Sequence, residues 1–110
     1  DALLHAVTAV PGSGPAYVFL LIEALEAAGI AAGLPADLAA RLARATVTGS
    51  GALAAISPDR PAKLRADVTS PGGTTAAALG VLMGTPGLAE LMQKAVEAAT
   101  RRSEELAQGS

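Results

Sequence analysis

The chain has 110 residues, 27 of them alanine and 12 glycine, so more than a third of it carries little or no side chain. That length allows one domain, and a net charge of −2 provides no basic patch able to neutralise several phosphates, which excludes nucleic acid as a partner. The absence of cysteine excludes disulfides, thiolate nucleophiles and cysteine-ligated zinc, and the single histidine, His5, cannot build a multi-histidine metal site, so no metal is expected.

The larger apolar side chains are 15 Leu, 7 Val, 3 Ile, 2 Met, one Phe and one Tyr. They are few for a core in which each contributes about 1.5–3 kcal/mol, and help from a second chain is expected. The chain opens at Asp1 with no initiator methionine and no charged-then-apolar leader, and reads as a piece of something longer. With no signal peptide in view, a cytoplasmic location is the default.

Asp1 to Val10 forms a short first segment. Pro11-Gly12-Ser13-Gly14 reads as a turn in which Ser13 caps and Pro15 occupies an early helical position. A long helix then runs to about Ala32. Its first turns, Ala16 to Ile22, are apolar on every face, the pattern of a helix surrounded by protein. One small domain cannot surround it, so Tyr17, Val18, Phe19, Leu21 and Ile22 are expected at an interface between two copies. Ala16 to Leu34 is also apolar enough to be tested as a membrane span. Glu23 and Glu26 near its middle would each cost about 2.5–3.5 kcal/mol at bilayer depth, and no membrane role is expected.

Gly33 is placed to end that helix, and Pro35 and Asp37 to open the next, which reaches Ile56. Ala45, Gly49 and Ala52 form a small-residue stripe on it where another helix could approach closely. After a loop from Ser57 to Pro61, Ala62 to Val68 and Thr74 to Met83 read as short helices. Leu88 to Ala107 is amphipathic, with Leu88, Leu91, Met92, Val96 and Ala99 on one side and Lys94, Glu97, Arg101 and Glu104 solvated on the other. No stretch alternates with period two, so the fold class is all-α.

Ser70-Pro71-Gly72-Gly73-Thr74-Thr75 is the stretch most suited to chemistry. Free amides at a helix start point where the dipole is positive, glycines clear room, and hydroxyls can orient two oxygens of a carboxylate or phosphate. The same residues also read as a plain helix cap, with Ser70 at the N-cap and Pro71 at the first helical position. Gly12-Ser13-Gly14 lacks a preceding strand and the spacing of a nucleotide loop. Glu23 and Glu26, with Arg41 and Arg44 at matching spacing, suggest an interhelical ion-pair cluster rather than catalysis. Asp67 reads as a partner for Arg65 or a cap, and His5 as an ordinary surface or cap residue.

Three stretches resemble the C-terminal, helical dimerisation domain of pyrroline-5-carboxylate reductase: Ala9 to Tyr17, Ala32-Gly33-Leu34-Pro35 with the helix after it, and above all Leu64 to Thr75. The continuation through Ala78-Leu79, Leu82, Ala95 to Ala99 and Arg102 to Leu106 is similar, while Pro11 stands where serine or threonine is expected. The resemblance implies one helical dimerisation and substrate-binding domain over residues 1–110, in an intertwined dimer or larger ring, with the N-terminal Rossmann domain absent from this chain. It implies reduction of 1-pyrroline-5-carboxylate to proline with NADPH or NADH held by that absent domain, no cofactor bound to this chain alone, and no turnover by it alone. The substrate carboxylate would lie on Ser70, Gly72, Gly73, Thr74 and Thr75, with Thr75 the candidate for orienting proton delivery to the ring nitrogen. A stand-alone helical oligomerisation module, in which the loop is only a cap, is the competing expectation. A related hydroxyacid dehydrogenase domain would want a catalytic lysine on a helix, and Lys63 and Lys94 are poorly placed for that.

Overall fold

A computed structural model describes Asp1–Gly109. Six α-helices follow one another: α1 (Ala2–Val7), α2 (Gly14–Ala31), α3 (Ala36–Ile56), α4 (Pro61–Asp67), α5 (Thr74–Leu82) and α6 (Leu88–Gly109), with a π-helical segment, Thr8–Gly12, between the first two. No strand occurs among the described residues. The chain divides into two compact units, one formed by Asp1–Pro15 with the chain from Val68 onward and the other by Ala16–Asp67.

In the first unit Asp1 caps α1, its Oδ1 accepting from the Leu4 amide at 3.1 Å. Pro11 has no N–H to donate to the carbonyl four residues back, and the chain absorbs this by widening. The Ser13 amide reaches the Thr8 carbonyl at 2.9 Å, and the Ser13 hydroxyl donates to the same oxygen at 3.0 Å. Ser13 thus closes the π segment, and Pro11-Gly12 is helical where a turn was expected. Ala9 of this segment is fully buried. Helix α6 packs against α1 and the π segment, and His5 Nδ1 lies 2.7 Å from Ser103 Oγ, tying two elements 98 positions apart. His5 is half-buried, not the ordinary surface residue the sequence suggests.

In the second unit α2 ends at Gly33, whose φ of +110° is a left-handed conformation that glycine adopts without steric cost. The Gly33 amide donates to Ile30 O at 3.0 Å and the Leu34 amide to Gly29 O at 3.0 Å, a Schellman closure. A Cβ added at Gly29 would lie 3.2 Å from Leu34 Cδ1 and in ordinary contact with Ala39 Cβ at 3.5 Å, so Gly29 sits close against the start of α3. Ala39 and Ala43 are buried on α3. Pro35 forms the N-cap of α3 rather than its first turn, with Asp37 in that turn as expected. At the far end Ser57 turns extended, at φ −85° and ψ 136°, as the residue before Pro58 must.

Ala9, Ala39 and Ala43 are the only buried apolar residues among those described, and no large side chain is fully buried. The chain exposes 8236 Å², whereas a folded monomer of this mass exposes roughly 5,500 Å². The excess, about 2,700 Å² per chain or about 5,400 Å² over two copies, is on the scale of a large obligate homodimer interface. Along α2, Val18, Phe19, Leu20 and Leu21 are 42, 63, 63 and 48 % exposed, while Tyr17 and Ile22 are half-buried. The apolar side of α6 is likewise open at Leu88, Leu91 and Met92, and among the described residues nothing beyond its own helix lies within 4 Å of where a Cβ at Gly49 would stand.

Replacing Ala39 with leucine should overpack the α2–α3 contact and lower stability by about 1–3 kcal/mol, measured by urea unfolding; an unchanged midpoint would show that this contact does not hold the pair.

Candidate functional site

Between α4 and α5 the backbone makes one tight reversal. The Gly73 amide donates to Ser70 O at 3.1 Å, and Gly72 has φ +72°. Proline at the second position and a left-handed glycine at the third define a type II β-turn over Ser70–Gly73. Gly73 is extended, at φ −88° and ψ −172°, and forms the N-cap of α5 without any side-chain cap bond. The cap reading of Ser70 and Pro71 is therefore corrected: the turn uses both residues before the helix begins, and leaves Ser70 three positions short of the cap.

The first helical bond of α5 runs from the Ala77 amide to Gly73 O at 3.1 Å. The amides of Thr74, Thr75 and Ala76 precede it and have no acceptor within the helix. They converge at the positive end of a nine-residue helix, and the Thr74 and Thr75 hydroxyls share that end. Ser70, Gly72, Thr74 and Thr75 are exposed and Gly73 is half-buried. The structure thus brings all five predicted site residues into one turn and helix start. It withdraws one donor, since the Gly73 amide is engaged by Ser70 O. It also adds the Ala76 amide, which the sequence could have signalled had the helix start been fixed at Thr74. A Cβ at Gly73 would lie 3.3 Å from Ser70 O, so glycine there keeps the turn tight.

Just before the turn, Lys63 Nζ donates to Asp67 Oδ2 at 2.8 Å and lies 3.8 Å from Asp59 Oδ2. The hydrogen bond it donates to Asp67, and then the Asp67 charge, hold the Lys63 ammonium above its ordinary pKa. This pair is open to water and contributes little to stability. Asp67 thus has Lys63 as a partner, a residue the sequence reading did not name for it.

The second cluster the sequence suggested is not closed. Glu23 and Glu26 line an open cleft of about 540 Å³ with Phe19, Ile22, Arg44 and Thr48. Ion pairs join Lys63 with Asp59, Lys63 with Asp67, and Arg102 with Glu105. None joins Glu23 or Glu26 to Arg41 or Arg44, and Arg41 does not line the cleft. No group of His, Asp and Glu able to hold a metal ion is present among the described residues.

A family model described as pyrroline-5-carboxylate reductase dimerisation matches residues 1–106. A pyrroline-5-carboxylate reductase of Pisum sativum is 49 % identical over 106 residues, covering 96 % of this chain and 38 % of that protein. One from Synechocystis sp. is also 49 % identical, over 96 % of this chain and 39 % of that protein. Among solved structures, the Coxiella burnetii pyrroline-5-carboxylate reductase superposes with a TM-score of 0.90 at 42 % identity, covering 96 % of this chain and 39 % of that one. The Plasmodium falciparum pyrroline carboxylate reductase, solved with NADP bound, gives 0.89 at 36 % identity, over 100 % of this chain and 41 % of that one. The chain therefore spans about two fifths of the length of the relatives it matches.

Gly72→Ala should lower stability by about 1–2 kcal/mol, the cost of a left-handed alanine, with helical circular dichroism retained. Gly72→Asn should cost less, because asparagine tolerates that conformation; equal urea midpoints for the two variants would show that backbone conformation does not govern the turn.

Proposed function

The chain belongs to the pyrroline-5-carboxylate reductase dimerisation family, and from that premise we propose that it joins two subunits of an NADPH- or NADH-dependent reductase and holds the substrate carboxylate while 1-pyrroline-5-carboxylate is reduced to proline. The observation that carries the substrate half is the turn over Ser70–Gly73 delivering three helix-start amides beside two threonine hydroxyls. Such a set binds a small carboxylate by hydrogen bonds and by the helix dipole together.

The nucleotide does not fit these residues. A dinucleotide pyrophosphate rests on a glycine-rich turn between a strand and a helix, and the described residues contain no strand. It is therefore held outside this chain, and the roles left to the chain are binding and orientation. The amides of Thr74, Thr75 and Ala76 take the carboxylate, the Ser70 and Thr74 hydroxyls orient it, and Gly72 and Gly73 clear the approach. Thr75 Oγ1 then faces the ring nitrogen, where it holds the proton that the nitrogen gains as the C=N bond is reduced. Fixing the carboxylate at one end sets the imine carbon within about 3–3.5 Å of its reductant, a near-attack distance.

The joining half rests on exposure. Ala16 to Ile22 is apolar on every face yet largely uncovered within one chain, and a second copy is the surface that covers it, in a homodimer or a larger ring. The helical run Ala2–Ala31 is long and apolar enough, at a mean hydropathy of 1.4, to cross a membrane by length and composition. Glu23 and Glu26 lie within it, so we read it as an interface helix of a cytoplasmic enzyme.

Light scattering on this chain should give at least twice 10.8 kDa; a well-folded monomer at micromolar concentration contradicts the joining role. Titration with proline should move the amide resonances of Thr74, Thr75 and Ala76, and silence to high millimolar concentration favours an oligomerisation module without a substrate role. In the intact reductase, Thr75→Val should reduce kcat by about 10²–10⁴-fold with KM little changed, while Thr75→Ser retains most activity. Equal kcat for Thr75→Val and the parent removes Thr75 from the proton step.

A further inference from the structure

The cleft on the second unit has an imbalance of charge. Two carboxylates, Glu23 and Glu26 on α2, face one guanidinium, Arg44 on α3, across an apolar floor of Phe19 and Ile22. None of the three is within ion-pair distance of another. Glu26 and Ile22 are half-buried, and Phe19 is 63 % exposed. Left open, the cleft keeps its charges in water and wastes its apolar floor. Closed by an uncharged surface, it would strand one carboxylate in a dry place, at a cost of several kcal/mol. Its occupant must therefore bring both apolar area and one positive charge.

The chain itself carries that combination. Arg41, Arg44 and Thr48 stand at i, i+3 and i+7, one stripe of α3. Arg44 and Thr48 line the cleft, whereas Arg41 lies one turn beyond it, exposed and in no ion pair among those formed. The exposed area of one chain exceeds that of a compact monomer by about 2,700 Å², and twice that, over two copies, is on the scale of a large permanent dimer interface. In a two-fold contact the same patch meets itself, so whatever one copy inserts the other inserts in return.

We propose that a second copy of this chain closes the cleft, and that Arg41 of each copy enters the cleft of the other and pairs with Glu23 and Glu26. Each chain then contributes two carboxylates and two guanidinium groups to the interface, and the imbalance disappears. The pairing rests on the joining role proposed above and assigns it a register: α2 and α3 of one copy against α3 of the other, with Arg41 as the residue that fixes alignment and rejects other apolar partners.

Exchange of charge tests this by mixing. Glu23→Arg alone and Arg41→Glu alone each place like charges across both halves of the symmetric interface, and each should weaken self-association on the order of a hundredfold. Mixed in equal amounts, the two variants should form a heterodimer of near-parental affinity, because each arginine at position 23 then meets a glutamate at position 41 of the other chain. Sedimentation equilibrium reads the masses, and Arg41→Lys, which keeps the charge, should remain dimeric. If the parent chain is monomeric, the joining role fails and the pairing with it. If the parent is dimeric and either variant stays equally dimeric, the joining role stands and the pairing is overturned. If both variants dissociate but mixing leaves them apart, whether or not both changes in one chain restore the dimer, pairing between copies is overturned as well.

Discussion

A shortage of bulk governs this molecule. With alanine and glycine supplying over a third of its residues, its helices can come close but cannot enclose anything. The α2–α3 contact illustrates the trade: Gly29, Ala39 and Ala43 bring two backbones together, and the leucines and the phenylalanine are left on the outside. Close approach of small residues gains dispersion contacts but removes little apolar area from water. The missing hydrophobic stabilisation must come from a surface outside the single chain, which is why a domain of this composition is suited to joining subunits.

The same economy shapes the candidate site, which is made almost wholly from backbone. Proline and a left-handed glycine set a type II turn, the next residue caps a helix with its extended backbone, and the amides after it have no acceptor within the helix. No acid or base stands within Ser70–Thr75. A site of amides carries no charge to be desolvated before the substrate arrives, and its geometry is fixed by φ and ψ rather than by rotamers. It therefore costs little entropy to organise.

Punctuation was the most legible part of the sequence. Gly33, Pro35 and Ser57-Pro58 each act through local backbone sterics, and the ends of α2 and α3 fall where those residues put them. Pro11 misled because a proline that breaks an α-helix can instead be accommodated by a π segment, and the choice depends on the Thr8 carbonyl that Ser13 reaches. Ser70 misled for a related reason: Ser-Pro is a good helix opening, and the glycine pair behind it turned the chain first. Spacing brought Glu23, Glu26 and Arg44 to one cleft, but Arg41 stands outside it and no ion pair joins the four, because periodicity carries no distance. The link between His5 and Ser103 spans 98 positions, beyond the reach of any local pattern.

In the role proposed for it, the turn would also set what a bound molecule is judged by. From Ser70 to Thr75 the side chains are hydroxymethyl and hydroxyethyl groups, one pyrrolidine ring and two hydrogens, with nothing broad enough to embrace a ring. In the proposed role such a surface would grip a planar anion and be indifferent to the size of the cycle that bears it. Discrimination between a five-membered imine and a six-membered homologue would then fall to residues outside Ser70–Thr75, and a change of substrate preference would be engineered there rather than in the glycine turn.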